Sequence, residues 1–318
     1  MTARLTLAYL VFEVRKPARW ERYMRDMLGL PEPVRHGDDS TGWRVDEACQ
    51  RLVVTRGERD DLLALGLECA DVGSLAALVA RLRAAGQQPV QASAALCRQR
   101  RVRELWQCQD PDGGSVELCA GLERAAEPFA SPAFPHGFET GELGMGHVVL
   151  ATRQLPAMEA FYCDLLGFGV TERLKSRAAM LEIQGAFLHC NRRHHSLALL
   201  QLPLPRRIHH FMLQARAIGD VGLAYERARA LRVPIDLALG QHPDPDGTFS
   251  FYGETPSGFA CEIGAQSREI DPLAWQTTHT KQTSSWGHQP QLRFKLKMLR
   301  DLVSASLARR RWQRPCAD

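Results

Sequence analysis

Three side chains pose the chemical question. His147, His210 and Glu262 sit in or beside three short apolar stretches, HVVLAT, HHFMLQ and FACEI, of the 318-residue chain. Apolar runs this short read as strands. Two imidazoles and one carboxylate delivered from three strands make a facial triad that leaves open positions on one metal ion. That donor set suits non-haem Fe(II) oxygenase chemistry, and Mn(II) accepts the same N,N,O ligands. It leaves a divalent ion at about +1, so a catecholate can join it without over-neutralising the site. The spacing alone is no compact motif, so the elements that position the three residues must carry the argument.

Those elements are duplicated. Segment 7–30, LAYLVFEVRKPARWERYMRDMLGL, lies over 145–168, MGHVVLATRQLPAMEAFYCDLLGF. Each copy reads as an apolar strand, an amphipathic helix and a Leu-Gly stop, with Gly29 or Gly167 able to take the left-handed conformation that ends a helix. Segments 62–86 and 207–232 repeat the strand-helix order, and LWQCQDPDGGSVELC (105–119) matches FSFYGETPSGFACEI (249–263) as two strands joined by a turn. Each half therefore holds two strand-helix-strands modules, and the Pro-rich stretch 125–142 reads as the linker. The expected fold is α+β, with two tandem domains each of two βαβββ modules. Under this alignment Tyr9, a position near Gly66, and Glu117 stand where the second half has His147, His210 and Glu262. Only the second half can assemble the triad.

Composition sets the remaining bounds. With 45% hydrophobic and 24% charged residues the chain reads as globular, which excludes collagen-like and disordered classes. No apolar run approaches the roughly 20 residues of a membrane span, and the start carries no small-residue cleavage site. Nine scattered cysteines without a C-x-x-C pair argue against zinc ribbons and disulfide frameworks. A soluble, cytoplasmic chain is expected. The net charge of +4 is unevenly placed: residues 291–318 hold eight Lys/Arg against Asp301 and Asp318, or +6, which leaves 4 − 6 = −2 for the rest. The basic balance belongs to the tail, so neither nucleic acid nor membrane is an expected partner. In the tail Leu292, Leu296, Leu299, Val303 and Leu307 follow helical spacing and predict an amphipathic helix docked on its own or a neighbouring subunit, with contact to an anionic surface as the alternative.

Five blocks of the second half, GMGHVVL (144–150), FYCDLLGF (161–168), FLHCNRRHHSLAL (187–199), LPRRIHHFMLQ (204–214) and GQHPDPDGTFSFYGETPSGFACEIG (240–264), together with WGH (286–288), resemble the type I extradiol ring-cleavage dioxygenases of the vicinal oxygen chelate superfamily. The resemblance covers about residues 5–290. It implies a metal-free N-terminal domain at 1–136, a catalytic Fe(II) domain at 137–290 and a tail at 291–318 without counterpart. It implies cleavage of a substituted or bicyclic catechol, such as 2,3-dihydroxybiphenyl, with both atoms of O2 incorporated, in a homo-oligomeric enzyme of aromatic-compound degradation. Residue by residue it makes His147, His210 and Glu262 the ligands and His195 the acid/base. It makes His242 and Tyr252 the partners of the substrate oxygens and sets His209 beside the site. Asp244 and Thr255 fall among the substrate contacts, and Asp244 or Asp246 would support His242. Phe187, Met180, Val149 and Leu200 are expected apolar lining. A glyoxalase-like lyase or isomerase, or a non-catalytic binding protein on the same scaffold, is the alternative. The first would draw carboxylates from both halves, and the second would not need this set of histidines.

Overall fold

Apolar stretches broken by Pro-initiated helices give each half the same order of elements. The computed structural model describes residues 5–37, 39–178 and 181–307. Its first half runs β1 (Leu5–Val14), α1 (Pro17–Arg22), β2 (Val34–Arg35), β3 (Thr41–Trp43), β4 (Leu52–Arg56), β5 (Asp61–Cys69), α2 (Val72–Ala84), β6 (Val90–Gln91), α3 (Ala94–Arg100), β7 (Val102–Gln109) and β8 (Ser115–Leu122). The second half runs β9 (His147–Thr152), α4 (Leu155–Ala160), β10 (Gly169–Ala178), β11 (Leu181–His189), β12 (Leu197–Gln201), β13 (Ile208–Gln214), α5 (Ile218–Ala230), β14 (Ile235–Gln241), β15 (Phe249–Glu254) and β16 (Ala260–Ala265). It then adds β17 (Thr278–Thr280), β18 (Trp286–Gly287) and α6 (Leu292–Leu307). Among the described residues no helix is long and apolar enough to cross a membrane.

The sheet orders coincide. One reads β2-β3-β4-β1-β5-β8-β7-β6, and the other reads β10-β11-β12-β9-β13-β16-β15-β14 with β17 and β18 added at its edges. This is the expected pair of tandem domains, each of two βαβββ modules. Gly29 and Gly167 take φ of +57° and +85° and end their helices as the repeat predicts. The sequence did not announce that both helices widen into a π turn first, with Leu28 N–H donating to Tyr23 and Leu166 N–H to Phe161.

Alternate residues of the strands face two different environments. One set joins the helices in a core shared by the two domains, where Phe12 packs on Trp20, Phe211 and Phe259 at centroid distances of 5.2–5.3 Å. The other set lines a concave face in each domain. In the first domain Tyr9, Val11, Val53, Ala64, Leu105 and Cys119 fill it, covered by Leu96 and Cys97 of α3. In the second domain the same face carries the histidines and ends in a small apolar cluster, Ala151, Leu202 and Leu204.

The tail helix forms, but its contact with the body differs from the expected one. Leu292, Leu296 and Leu299 are 72%, 59% and 60% exposed, whereas Met298 packs on the Ala151 cluster and Lys297 is buried against β14 and β15. Polar anchoring of one turn decides which face meets the body. The side chains of Val303 and Leu307, and Met180, lie outside the described residues.

Candidate metal centre

Glycine makes the first ligand possible. Gly146, at φ +142°, lies so close to β13 that a Cβ would stand 2.0 Å from the Met212 carbonyl oxygen, and the next residue is His147 at the head of β9. His210 comes from β13, whose start is held by the other domain: Asp61 accepts from Arg207 N–H at 2.7 Å and Ile208 N–H at 3.0 Å, and the buried Arg207 guanidinium pairs with Asp110. Glu262 sits on β16 opposite Met212.

The three residues converge. His147 Nε2 and His210 Nε2 are 3.3 Å apart, and Glu262 Oε2 lies 3.1 Å from the first and 3.3 Å from the second. All three are buried, and Oε2 has no hydrogen-bond partner. Burial alone would raise the Glu262 pKa, but the imidazoles of His147, His210 and His242 hold it well below the usual carboxylate range. A buried anionic oxygen 3.1–3.3 Å from two imidazole nitrogens is a donor set suited to a cation. Donor atoms about 2.1 Å from one ion stand roughly 3.0–3.4 Å apart, so the triangle fits a divalent cation.

A bulge completes the second ligand. Ile208 pairs with Leu150 and His210 with Val149, so His209 is the extra residue and its ring comes to the same side as His210. The two Nδ1 atoms are 2.7 Å apart. Burial, with His210 and Lys297 nearby, pushes His209 down to about 3, so its ring is neutral. In the tautomer that puts the His210 proton on Nδ1, His209 accepts it and His210 Nε2 is left to face a metal. The first domain repeats the bulge at Leu63, since Val11 pairs with Ala64 and Phe12 with Leu62. The counterpart of His210 is therefore Ala64 and not Gly66, which the Tyr9 ring covers instead.

His195, His242 and Tyr252 surround the triangle. The His195 ring is 4.1 Å from that of His147 and 4.9 Å from that of Phe187. Burial, with His147 and His194 beside it, holds His195 well below the usual histidine range, so it is neutral. His242 Nδ1 donates to the Thr283 carbonyl at 2.5 Å, and its Nε2 lies 2.9 Å from the Tyr252 hydroxyl and 3.3 Å from Glu262 Oε1. Burial would lower His242, but the Glu262 bond, the charges of Asp246 and Glu262 and the Thr283 carbonyl raise it to about 9. Burial and Glu262 keep Tyr252 protonated, well above its usual range.

Ladder register places the lining. Phe187, Ala198, Val149, His210 and Ala260 pair in one row across five strands, so Phe187 and Val149 share the ligands' face. The next row holds Gly185, Leu200 and Ala151.

A family model described as the Glyoxalase/Bleomycin resistance protein/Dioxygenase superfamily matches residues 144–263, and one described as Dihydroxybiphenyl dioxygenase BphC D1 matches residues 7–57. A 3-methylcatechol 2,3-dioxygenase of Pseudomonas putida is 39% identical over 285 residues, covering 89% of this chain and 97% of that one. The chain belongs to the extradiol dioxygenases. A biphenyl-2,3-diol 1,2-dioxygenase of Paraburkholderia xenovorans is 37% identical, with 89% and 95% covered. The solved structure of a halotolerant catechol dioxygenase superposes at a TM-score of 0.84 with 33% identity, over 93% of this chain and 97% of that one.

Two expected contacts of this dioxygenase fall elsewhere. Asp244 is at the tip of the 243–247 turn, its side chain 84% exposed and paired with Arg268 at 2.9 Å, while the buried Asp246 accepts from Thr248 and lies beside His194 and His195. The turn is closed by His242 N–H to Thr248 and Gly247 N–H to Pro243, which sends alternate carboxylates outward and inward. Thr255 donates its hydroxyl to the Phe259 carbonyl at 2.8 Å, so it shapes the β15–β16 turn and not the pocket. Two positioning residues were missed. The His288 ring lies 4.7 Å from the His242 ring, tilted by 47°, and bonds Ser250 and Ser284, and Thr171 donates to the His194 carbonyl at 2.6 Å. The WGH block was the signal for the first, and Thr171 had none.

Proposed function

We propose that this enzyme binds Fe(II) through His147, His210 and Glu262 and opens the ring of a catechol carrying an apolar substituent beside its hydroxyls. The observation that carries the reading is the donor triangle opening onto the row Phe187–Ala198–Val149. Fe(II) held by these three residues would supply the redox chemistry that lets a catechol react with O2 without an external reductant.

The chain's residues supply the rest. His195, kept neutral by its buried surroundings, takes a hydroxyl proton as the catechol binds and returns a proton as the ring opens, a role open to an uncharged imidazole within reach of the reacting group. Tyr252 and His242, already joined at 2.9 Å, hold the substrate oxygen from the opposite side. Apolar walls exclude water and grip the substituent, and one buried aromatic ring is worth on the order of 2 kcal/mol. The relatives named above act on a methylated and on a phenyl-bearing catechol, and this site offers the same apolar row to either.

Oxygen uptake against catechol, 3-methylcatechol and 2,3-dihydroxybiphenyl tests it. Ring-opened product with one O2 consumed per substituted catechol is expected. No uptake with any of the three would overturn the reading.

A further inference from the structure

Helix α6 sits at the end of the concave face that carries the candidate metal ligands. Two strand positions past Val149 and Ala198 come Ala151 and Leu200, and then the cluster of Ala151, Leu202 and Leu204. Met298 packs against that cluster together with Ile183 and Leu200. The apolar row that begins at the metal ligands thus ends on a side chain of α6. We propose that α6 is the outer wall of the substrate pocket and that Met298 sets how large a ring substituent the pocket accepts, an inference that rests on the extradiol reading above.

The helix is fastened where this requires. Lys297, next to Met298, places Nζ 2.5 Å from Asp236 Oδ2, 3.1 Å from Glu254 Oε2 and 3.2 Å from the Gly258 carbonyl, with only 12% of its side chain exposed. Arg293 adds a bond to Glu254 at 3.0 Å, and Gln291 N–H donates to the Asp236 carbonyl. These bonds reach β14, β15 and the β15–β16 turn, so they fix the height of Met298 over the sheet. Between α6 and the strands a recess of about 30 Å3 remains, lined by Ile208, His209, Phe259 and Met298 among others. A ring-sized substituent that reaches it needs Met298 to give way, which an unbranched thioether does in part and a rigid, bulky side chain would not.

The first domain shows the alternative use of the same position. There α3 lays Leu96 and Cys97 over a concave face that is filled with apolar side chains. In the second domain that space belongs to the site, and α6 covers it from outside with Met298, beside Phe294, Lys297 and Asp301.

The test uses the full chain and reads the ratio of kcat/KM for 2,3-dihydroxybiphenyl to that for catechol in wild type, Met298→Ala and Met298→Trp, with Leu296→Ala on the exposed face as control. Met298→Trp is expected to lower the ratio at least tenfold and Met298→Ala to raise it severalfold, with the control unchanged. Ratios within twofold of wild type in both variants, with catechol still turned over, would overturn the proposal. Should Met298→Trp fail to fold, Met298→Ala and Lys297→Ala decide it, since each must move the ratio at least threefold. A wild-type chain inactive on every catechol would instead sink the extradiol reading, which keeps the two failures apart.

Discussion

Arg100 donates Nε to Glu117 Oε2 at 2.7 Å, and its Nη2 lies 3.1 Å from Oε1 of the same carboxylate. Glu117 is the first-domain counterpart of Glu262, and the Tyr9 hydroxyl, at the position of His147, bonds it at 2.8 Å. A guanidinium carried in by α3 therefore neutralises the carboxylate whose counterpart, Glu262, stands in the candidate metal triangle. Duplication kept the acid and changed its cation.

A buried pair of this kind is costly to break on one side. Arg100→Ala is expected to destabilise the chain by about 3–5 kcal/mol, because it strands an uncompensated carboxylate. Arg100→Met combined with Glu117→Gln should cost clearly less. Urea unfolding checks both, and equal losses would show that charge compensation is not what Arg100 provides.

His209 and His210 are adjacent, yet they do different things. His210→Ala is expected to abolish metal binding. His209→Ala, which removes only the acceptor of the His210 Nδ1 proton, should weaken metal affinity by roughly 10–100-fold. Metal titration of the purified variants separates them, and loss of binding in His209→Ala with retention in His210→Ala would reverse the assignment.

For His195 the expected signature is a rate effect. His195→Gln should keep metal and catechol binding while slowing ring opening by roughly 10²–10⁴-fold. Unchanged turnover would reduce His195 to packing against Phe187 and His147.

Glu172, buried on β10, is pushed up to about 7, first by burial and then by the charge of Asp246. The folded chain keeps this proton over a range in which the unfolded chain has lost it. The stability it contributes is thus complete below its ordinary pKa near 4.5 and is lost as pH rises through about 7. Glu172→Gln should flatten the decline in Tm over that window. Parallel Tm profiles for the two proteins would contradict the assignment.

Much of this was legible in the sequence, because the duplication separates what the scaffold repeats from what one half has acquired. Alignment with Tyr9 and Glu117 singled out His147 and Glu262, and the structure brings them together with His210. The misplacement of the His210 counterpart has a local cause. Both halves carry the same bulge, at Leu63 and His209, so their register is constant through the strand, but DLLALG and RIHHFM share too few residue types for the sequence to fix it. Arg100 was invisible because, among the described residues, α3 has no partner between β14 and β15 of the second half. Asp244 and Asp246 are chemically identical in sequence and differ only in which side of a turn they face. The tail's leucines marked a real helix but not its docked face, since burial of Lys297 among Asp236, Glu254 and a carbonyl outweighed the leucine stripe.

The central claim is that His147, His210 and Glu262 hold the iron on which turnover depends. Its most direct test is to prepare the chain metal-free under anaerobic conditions, titrate it with Fe(II), and follow bound metal and O2 uptake with a 3-substituted catechol in the same samples. One Fe(II) per chain, with uptake rising in proportion and absent in His210→Ala, is the predicted result. Full uptake by the metal-free chain, or iron bound equally well by His210→Ala, would contradict it.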